Sequence, residues 1–194
     1  LQDAANESEA IDRVYDLRFA LDHVLGSELG ARLDSRRIVA AGHSYGANTT
    51  LMAAGATVAR NGSTITLRDP RVSAAILISA PPFYGEVSMR QILAPVQIPS
   101  LHITATEDII RVPGYYSGAE DRLAVFEAVG GSRKMLAVFT GGSHSMFTDR
   151  TSPGGDLLNA QVKTATRELT SAFMNRVIGG SDDSTLRDLS LIHI

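Results

Sequence analysis

The sequence contains no cysteine and no tryptophan, and aromatic residues fill only 6% of its 194 positions. Without cysteine there is no disulfide framework, no thiolate nucleophile and no sulfur-based metal site. No apolar run reaches the roughly 18 to 20 residues that a membrane-spanning helix requires. Neither sign of charge dominates. The formal net charge is −3 and no block of lysine or arginine occurs, so the electrostatic footprint of a protein that binds nucleic acid or a membrane surface is missing.

What is there is an ordinary globular composition, 44% hydrophobic and 20% charged, enough for one domain with a sizeable core. The two ends read differently from the interior. The chain opens at Leu1 directly on a helical segment, with neither an initiator Met nor a signal-peptide pattern. We read it as N-terminally truncated, which leaves its compartment unassigned. The closing LSLIHI, Leu189 to Ile194, matches the translation of CTG TCT CTT ATA CAC ATC, a transposon-end adaptor used in some sequencing libraries. It is read as a non-native tail on a single domain spanning 1–188.

Between the ends, two hydrophobic periods alternate. Residues 8–25 place Ile11, Val14, Leu17, Leu21 and Val24 near helical spacing, with Gly26 as a stop. RRIVAAG (36–42) is a short apolar run that ends in glycine, and the Ala-rich stretch 45–59 suits a helix packed closely on a sheet. VSAAILISA (72–80), PSLHITA (99–105) and RKMLAVFT (133–140) are further buried-strand candidates. Residues 119–129 and 156–178 read as helices; in the second, Leu158, Val162, Ala165, Leu169 and Phe173 share one stripe. Strands alternating with helices predict an α/β fold, a mostly parallel sheet covered on both faces.

In such sheets, chemistry collects at the carboxyl ends of the strands, and there the sequence reads Gly42-His43-Ser44-Tyr45-Gly46. A Gly-x-Ser-x-Gly between a strand and a helix is the pattern of a nucleophile elbow, a sharp turn that leaves the serine hydroxyl exposed. Gly42 and Gly46 are expected to be required because side chains there would collide as the backbone folds back. The same turn aims the Tyr45 N–H at the site as an oxyanion donor. The pattern alone is common; its placement after a strand and before a helix gives it weight.

A serine hydroxyl needs a base, and the base an orienting acid. In this type of sheet they follow in the order serine, acid, histidine. His144, in TGGSHSMF just beyond the last strand candidate, is the expected base. His23 lies upstream on the first helix, His102 is mid-strand, and His43 is expected to point away from the serine; all three read as structural. LHITATEDII ends a strand and delivers Glu107 and Asp108 into the next loop. Asp108 is the preferred acid and Glu107 the alternative.

The segments YDLRFALDHVL, RRIVAAGHSYGANTTLMAAGA, RDPRVSAAILISAPP, ITATED and GGSHSMF together resemble the carboxyl-terminal two-thirds of bacterial dienelactone-hydrolase-like α/β-hydrolases. The resemblance is to the serine-nucleophile branch related to platelet-activating-factor acetylhydrolases and small polyester-cleaving esterases, and it runs from about residue 8 to 178. It implies Ser44 as nucleophile, His144 as base, Asp108 as orienting acid and Tyr45 N–H in the oxyanion hole. Ala105 stands where that family usually has a glycine.

The stretch between AILISAP and IPSLHIT leaves no room for a lid domain, so the site is expected to be open. Phe83 and Tyr115 are the candidate substrate-binding residues, with Tyr84 and Tyr116 beside them on the rim. No motif indicates a metal, nucleotide or flavin, because the Gly pairs 141–142 and 154–155 lack dinucleotide-binding spacing. The expected function is hydrolysis of a small or polymeric carboxylic ester through an acyl-enzyme. An acyltransferase or peptidase on the same scaffold, or a non-catalytic binding protein, is the alternative.

Overall fold

A computed structural model describes residues 7–60, 62–84, 88–149 and 155–180. The suspected tail at 189–194 lies outside the described residues.

Four strands, β1 (Ile38–His43), β4 (Val72–Ile78), β5 (Ser100–Glu107) and β8 (Lys134–Ser143), form one sheet in the order β1-β4-β5-β8. Every pairing in it is parallel. These are the four runs that the sequence marks as strands. Their continuous apolar character follows from burial on both faces. Along β4, Ala75 and Leu77 enter one hydrophobic cluster, while Ala74 and Ile76 enter the other, as the two-residue period of a strand requires.

The first cluster is closed by α1 (Glu7–Gly26), α2 (Tyr45–Ala54), α3 (Met89–Leu93) and α4 (Ala119–Ala128), through Val14, Leu51, Leu93 and Val125. The second is covered by α5 (Gly155–Gly179), whose Val162, Leu169 and Phe173 lie against Leu101, Ile103 and Phe139. Phe173 and Leu51 are among the largest fully buried side chains. Truncating such residues to alanine typically costs 2 to 5 kcal/mol. Arg18 of α1 ties that helix to the chain before β4, donating to the carbonyls of Leu67 and Arg68 at 2.7 and 2.8 Å.

Two sequence expectations need correction. The helix read over 45–59 stops at Ala54. Gly55 adopts φ 126°, and Ala56 N–H turns back to Leu51 O at 2.8 Å. The β-branched Thr57 and Val58 then enter β2 (Thr57–Arg60), which pairs antiparallel with β3 (Ser63–Thr66). Cross-strand pairing and a glycine C-terminus thus override the alanine-rich helical composition. The second correction concerns the Gly-rich run before His144, read as a loop. β8 continues through it to Ser143, with Gly141 at φ 73°, and a short 3-10 turn, His144–Phe147, follows directly. A further hairpin, β6 (Ile110–Val112) with β7 (Tyr115–Ser117), has no counterpart in the sequence reading. Among the described residues between β4 and β5 the only regular element is α3, and no lid domain is present.

Candidate active site

β1 ends at His43, and the chain reverses at Ser44 to start α2. Ser44 has φ 56° and ψ −127°, a conformation that costs a non-glycine residue of the order of 1 to 3 kcal/mol. Two backbone bonds hold it there, Ser44 N–H to Ile78 O at 2.9 Å and Ala47 N–H to Ser44 O at 2.8 Å, above the β1–β4 ladder. The two flanking glycines are not equivalent. A Cβ on Gly42 would run into the Gly46 carbonyl and come within 2.6 Å of Ala47 N, whereas one on Gly46 would meet nothing within 4 Å. Only Gly42 is demanded by the crossing of the backbone, so the expectation for Gly46 does not hold.

His144 opens the 3-10 turn beyond β8, and Asp108 follows the end of β5. His144 Nε2 lies 3.0 Å from Ser44 Oγ, and His144 Nδ1 lies 2.7 Å from Asp108 Oδ1. An ionised carboxylate only accepts, so Nδ1 carries the proton and the Nε2 lone pair faces the serine hydroxyl. The His144 side chain is 20% exposed and Asp108 is fully buried. Glu107, the alternative acid, is exposed. It takes part in the irregular β5–β8 pairing opposite Ser143.

Burial pushes the Asp108 carboxyl up, but the hydrogen bond to His144 and the Arg122 charge outweigh it. With a smaller lowering from the nearby Ser79 hydroxyl, they hold the group at about 2. Ser79 itself makes no well-formed side-chain hydrogen bond. Asp108 Oδ2 accepts from Thr104 Oγ1 at 2.8 Å. Both oxygens are therefore engaged, and the carboxylate stays ionised and fixed in direction.

Tyr45 is the first residue of α2, a position whose N–H has no acceptor inside the helix. With the helix dipole behind it, that N–H is a ready donor to an anionic oxygen near Ser44. Burial raises the Tyr45 phenol, and the neighbouring Tyr84 and Tyr115 raise it further. Tyr115, half-buried, has its ring centroid 4.8 Å from that of Tyr84. Phe83 is half-buried and packs against the first hydrophobic cluster. Tyr116 is 56% exposed, with the Arg111 guanidinium 5.6 Å from its ring centre.

Of the other histidines, His102 is buried beside Ser100 Oγ at 3.1 Å, and His23 stacks on Phe19. His43 does not point away from the serine. Its ring lies 4.7 Å from that of His144, and its Nε2 lies 3.1 Å from His144 O. His43 is still in register with Ile78 at the end of β1, and its ring faces the 3-10 turn that begins at His144.

Sequence reasoning missed Thr104 and Arg122. Thr104 is four residues before Asp108, a spacing that a sequence could reveal; Arg122 comes from a separate helix, and nothing local marks it. Among the described residues no group of three or more His, Asp or Glu is placed to hold a metal ion. No described helix is long and apolar enough to cross a membrane.

The fold so built has known counterparts. A cold-adapted esterase from an Arctic intertidal metagenomic library matches 82% of this chain and 60% of its own, with TM-score 0.51 and 19% identity. An acylaminoacyl peptidase of Pyrococcus horikoshii matches 88% of this chain and 28% of its own, with TM-score 0.61 and 15% identity. A Pyrococcus furiosus esterase matches 89% and 63%, with TM-score 0.59 and 13% identity. The chain has the α/β-hydrolase fold. It spans about 60% of the length of the Arctic esterase. No protein-family model matches the sequence. No curated protein matches it.

Proposed function

We propose that this chain carries the catalytic centre of a serine hydrolase that cleaves carboxylic esters. The observation that carries the reading is the continuous chain Ser44 Oγ, His144 and Asp108, at 3.0 and 2.7 Å, on a serine in a strained turn. Ser44 Oγ attacks the ester carbonyl carbon as His144 Nε2 takes its proton. Asp108, remaining ionised, stabilises the imidazolium. The developing oxyanion accepts from Tyr45 N–H. The tetrahedral intermediate collapses, the proton passes from Nε2 to the departing alcohol oxygen, and an acyl-enzyme on Ser44 remains. Water, deprotonated by the same His144, then attacks the acyl carbon; the bond to Ser44 Oγ breaks, Nε2 returns the proton to Oγ, and the acid is released.

The resemblance to serine-type dienelactone-hydrolase-like esterases supports an ester substrate. The short β4–β5 connection supports an open site able to take small or polymeric esters at a rim that includes Phe83 and Tyr115. A second reading, a peptidase or acyltransferase, is favoured by the likeness to acylaminoacyl peptidases. A panel of p-nitrophenyl esters and acylaminoacyl amides separates the two, with Ser44→Ala as control. We expect ester turnover to exceed amide turnover, and Ser44→Ala and His144→Ala each to lower kcat by roughly 10⁴-fold or more. Ester hydrolysis persisting in Ser44→Ala would exclude the assignment.

A further inference from the structure

The mechanism above leaves one buried charge unused. Arg122, early in α4, is 3% exposed, and its Nη2 lies 3.5 Å from Asp108 Oδ1. Its Nη1 donates to Ser117 Oγ at 2.8 Å, while Nε and Nη2 make no hydrogen bond. A guanidinium remains charged inside a protein, and burying one is costly unless an anion compensates it. Here the compensating anion is Asp108, and the contact is to the same oxygen that accepts from His144 Nδ1.

We propose that Arg122 is a positioning residue for this site, holding Asp108 in place and offsetting the charge that this carboxylate presents to the His144 ring. The inference rests on the serine-hydrolase reading. A lone carboxylate 2.7 Å from an imidazole favours the imidazolium, which cannot accept the serine proton. A guanidinium against the same carboxylate oxygen makes the ion pair neutral overall and weakens the pull on the proton. The ionisable groups that act on this centre are His43 from β1, Asp108 from the end of β5, Arg122 from α4 and His144 itself. Glu107 is exposed beside them. Burial, followed by His144, keeps the His43 ring below its ordinary value. At neutral pH Arg122 is thus the fixed positive charge among them. Its field also reaches the His43 ring.

The test is the pH profile of kcat/KM on an activated ester, read in Arg122→Met, Arg122→Gln and Arg122→Lys beside Ser44→Ala. In the two neutral variants we expect the midpoint of the acid limb to rise by about one pH unit, a roughly tenfold loss of kcat/KM below the original midpoint. Arg122→Lys should stay close to the parent midpoint. A purely structural ion pair would cost thermal stability and leave the midpoint in place, and that result overturns the inference. So does a midpoint that moves equally in Arg122→Lys, or failure of both neutral variants to fold. If Ser44→Ala retains activity, the hydrolase reading itself falls. If Ser44→Ala is inactive and the midpoint is unmoved, only the role of Arg122 falls.

Discussion

The imidazole of His43 lies 4.7 Å from that of His144, and its Nε2 is 3.1 Å from the His144 carbonyl oxygen. A carbonyl only accepts, so His43 carries its proton on Nε2 and donates to the backbone of the residue whose ring faces Ser44. This ties the end of β1 to the turn after β8. The strands from which they extend, β1 and β8, are the two edges of the four-stranded sheet.

Removing that donor should loosen the placement of His144. In His43→Phe, which keeps a ring and loses the N–H, we expect kcat to fall by about 2- to 12-fold with KM little changed, in line with the roughly 1 kcal/mol net worth of one hydrogen bond. Unchanged kcat would reduce the contact to packing.

The two glycines of the elbow should respond oppositely. Gly42→Ala drives a Cβ into the Gly46–Ala47 backbone and should cost about 1 to 3 kcal/mol, with loss of activity as the turn shifts. Gly46→Ala meets open space inside α2. It should leave thermal stability unchanged or raise it by up to about 1 kcal/mol, since alanine is the better helix former. Thermal denaturation of both variants checks this, and equal destabilisation would contradict the geometry.

Acid sensitivity should trace in part to His102. Burial, with Lys134 nearby, pushes this histidine down to about 3. The unfolded chain takes up the proton near the ordinary value of about 6.5. Between those values the unfolded state binds more protons, so the contribution is full above about pH 6.5 and is lost as pH falls towards 3. At pH 5 the loss amounts to about 2 kcal/mol. His43, also lowered, chiefly by burial, acts in the same direction. In His102→Leu the drop in stability between pH 7 and pH 5 should therefore shrink without vanishing. Chemical denaturation at the two pH values measures it, and an undiminished drop would remove His102 from the account.

The sequence by itself determined the layout of the sheet and the order of its chemistry. Apolar runs of strand length between amphipathic segments specify buried parallel strands, because the periods of two and of about 3.6 are properties of the local backbone. The same locality made Ser44 conspicuous, since a glycine, a serine and a helix start are neighbours in the chain. Short-range signals fared worse where two segments compete. Nothing within 45–59 says that Thr57 and Val58 will find Thr66 and Ile65 across a hairpin. Tertiary structure alone decided which carboxylate meets His144. Glu107 and Asp108 are adjacent in sequence, yet one is exposed and the other fully buried, because the chain turns between them as β5 ends. It also decided that His43 faces His144 and that Arg122 reaches the Asp108 oxygen that binds His144. These contacts join β1, the ends of β5 and β8, and α4, and their distances depend on how the whole sheet and its helices pack, which no window of the sequence contains.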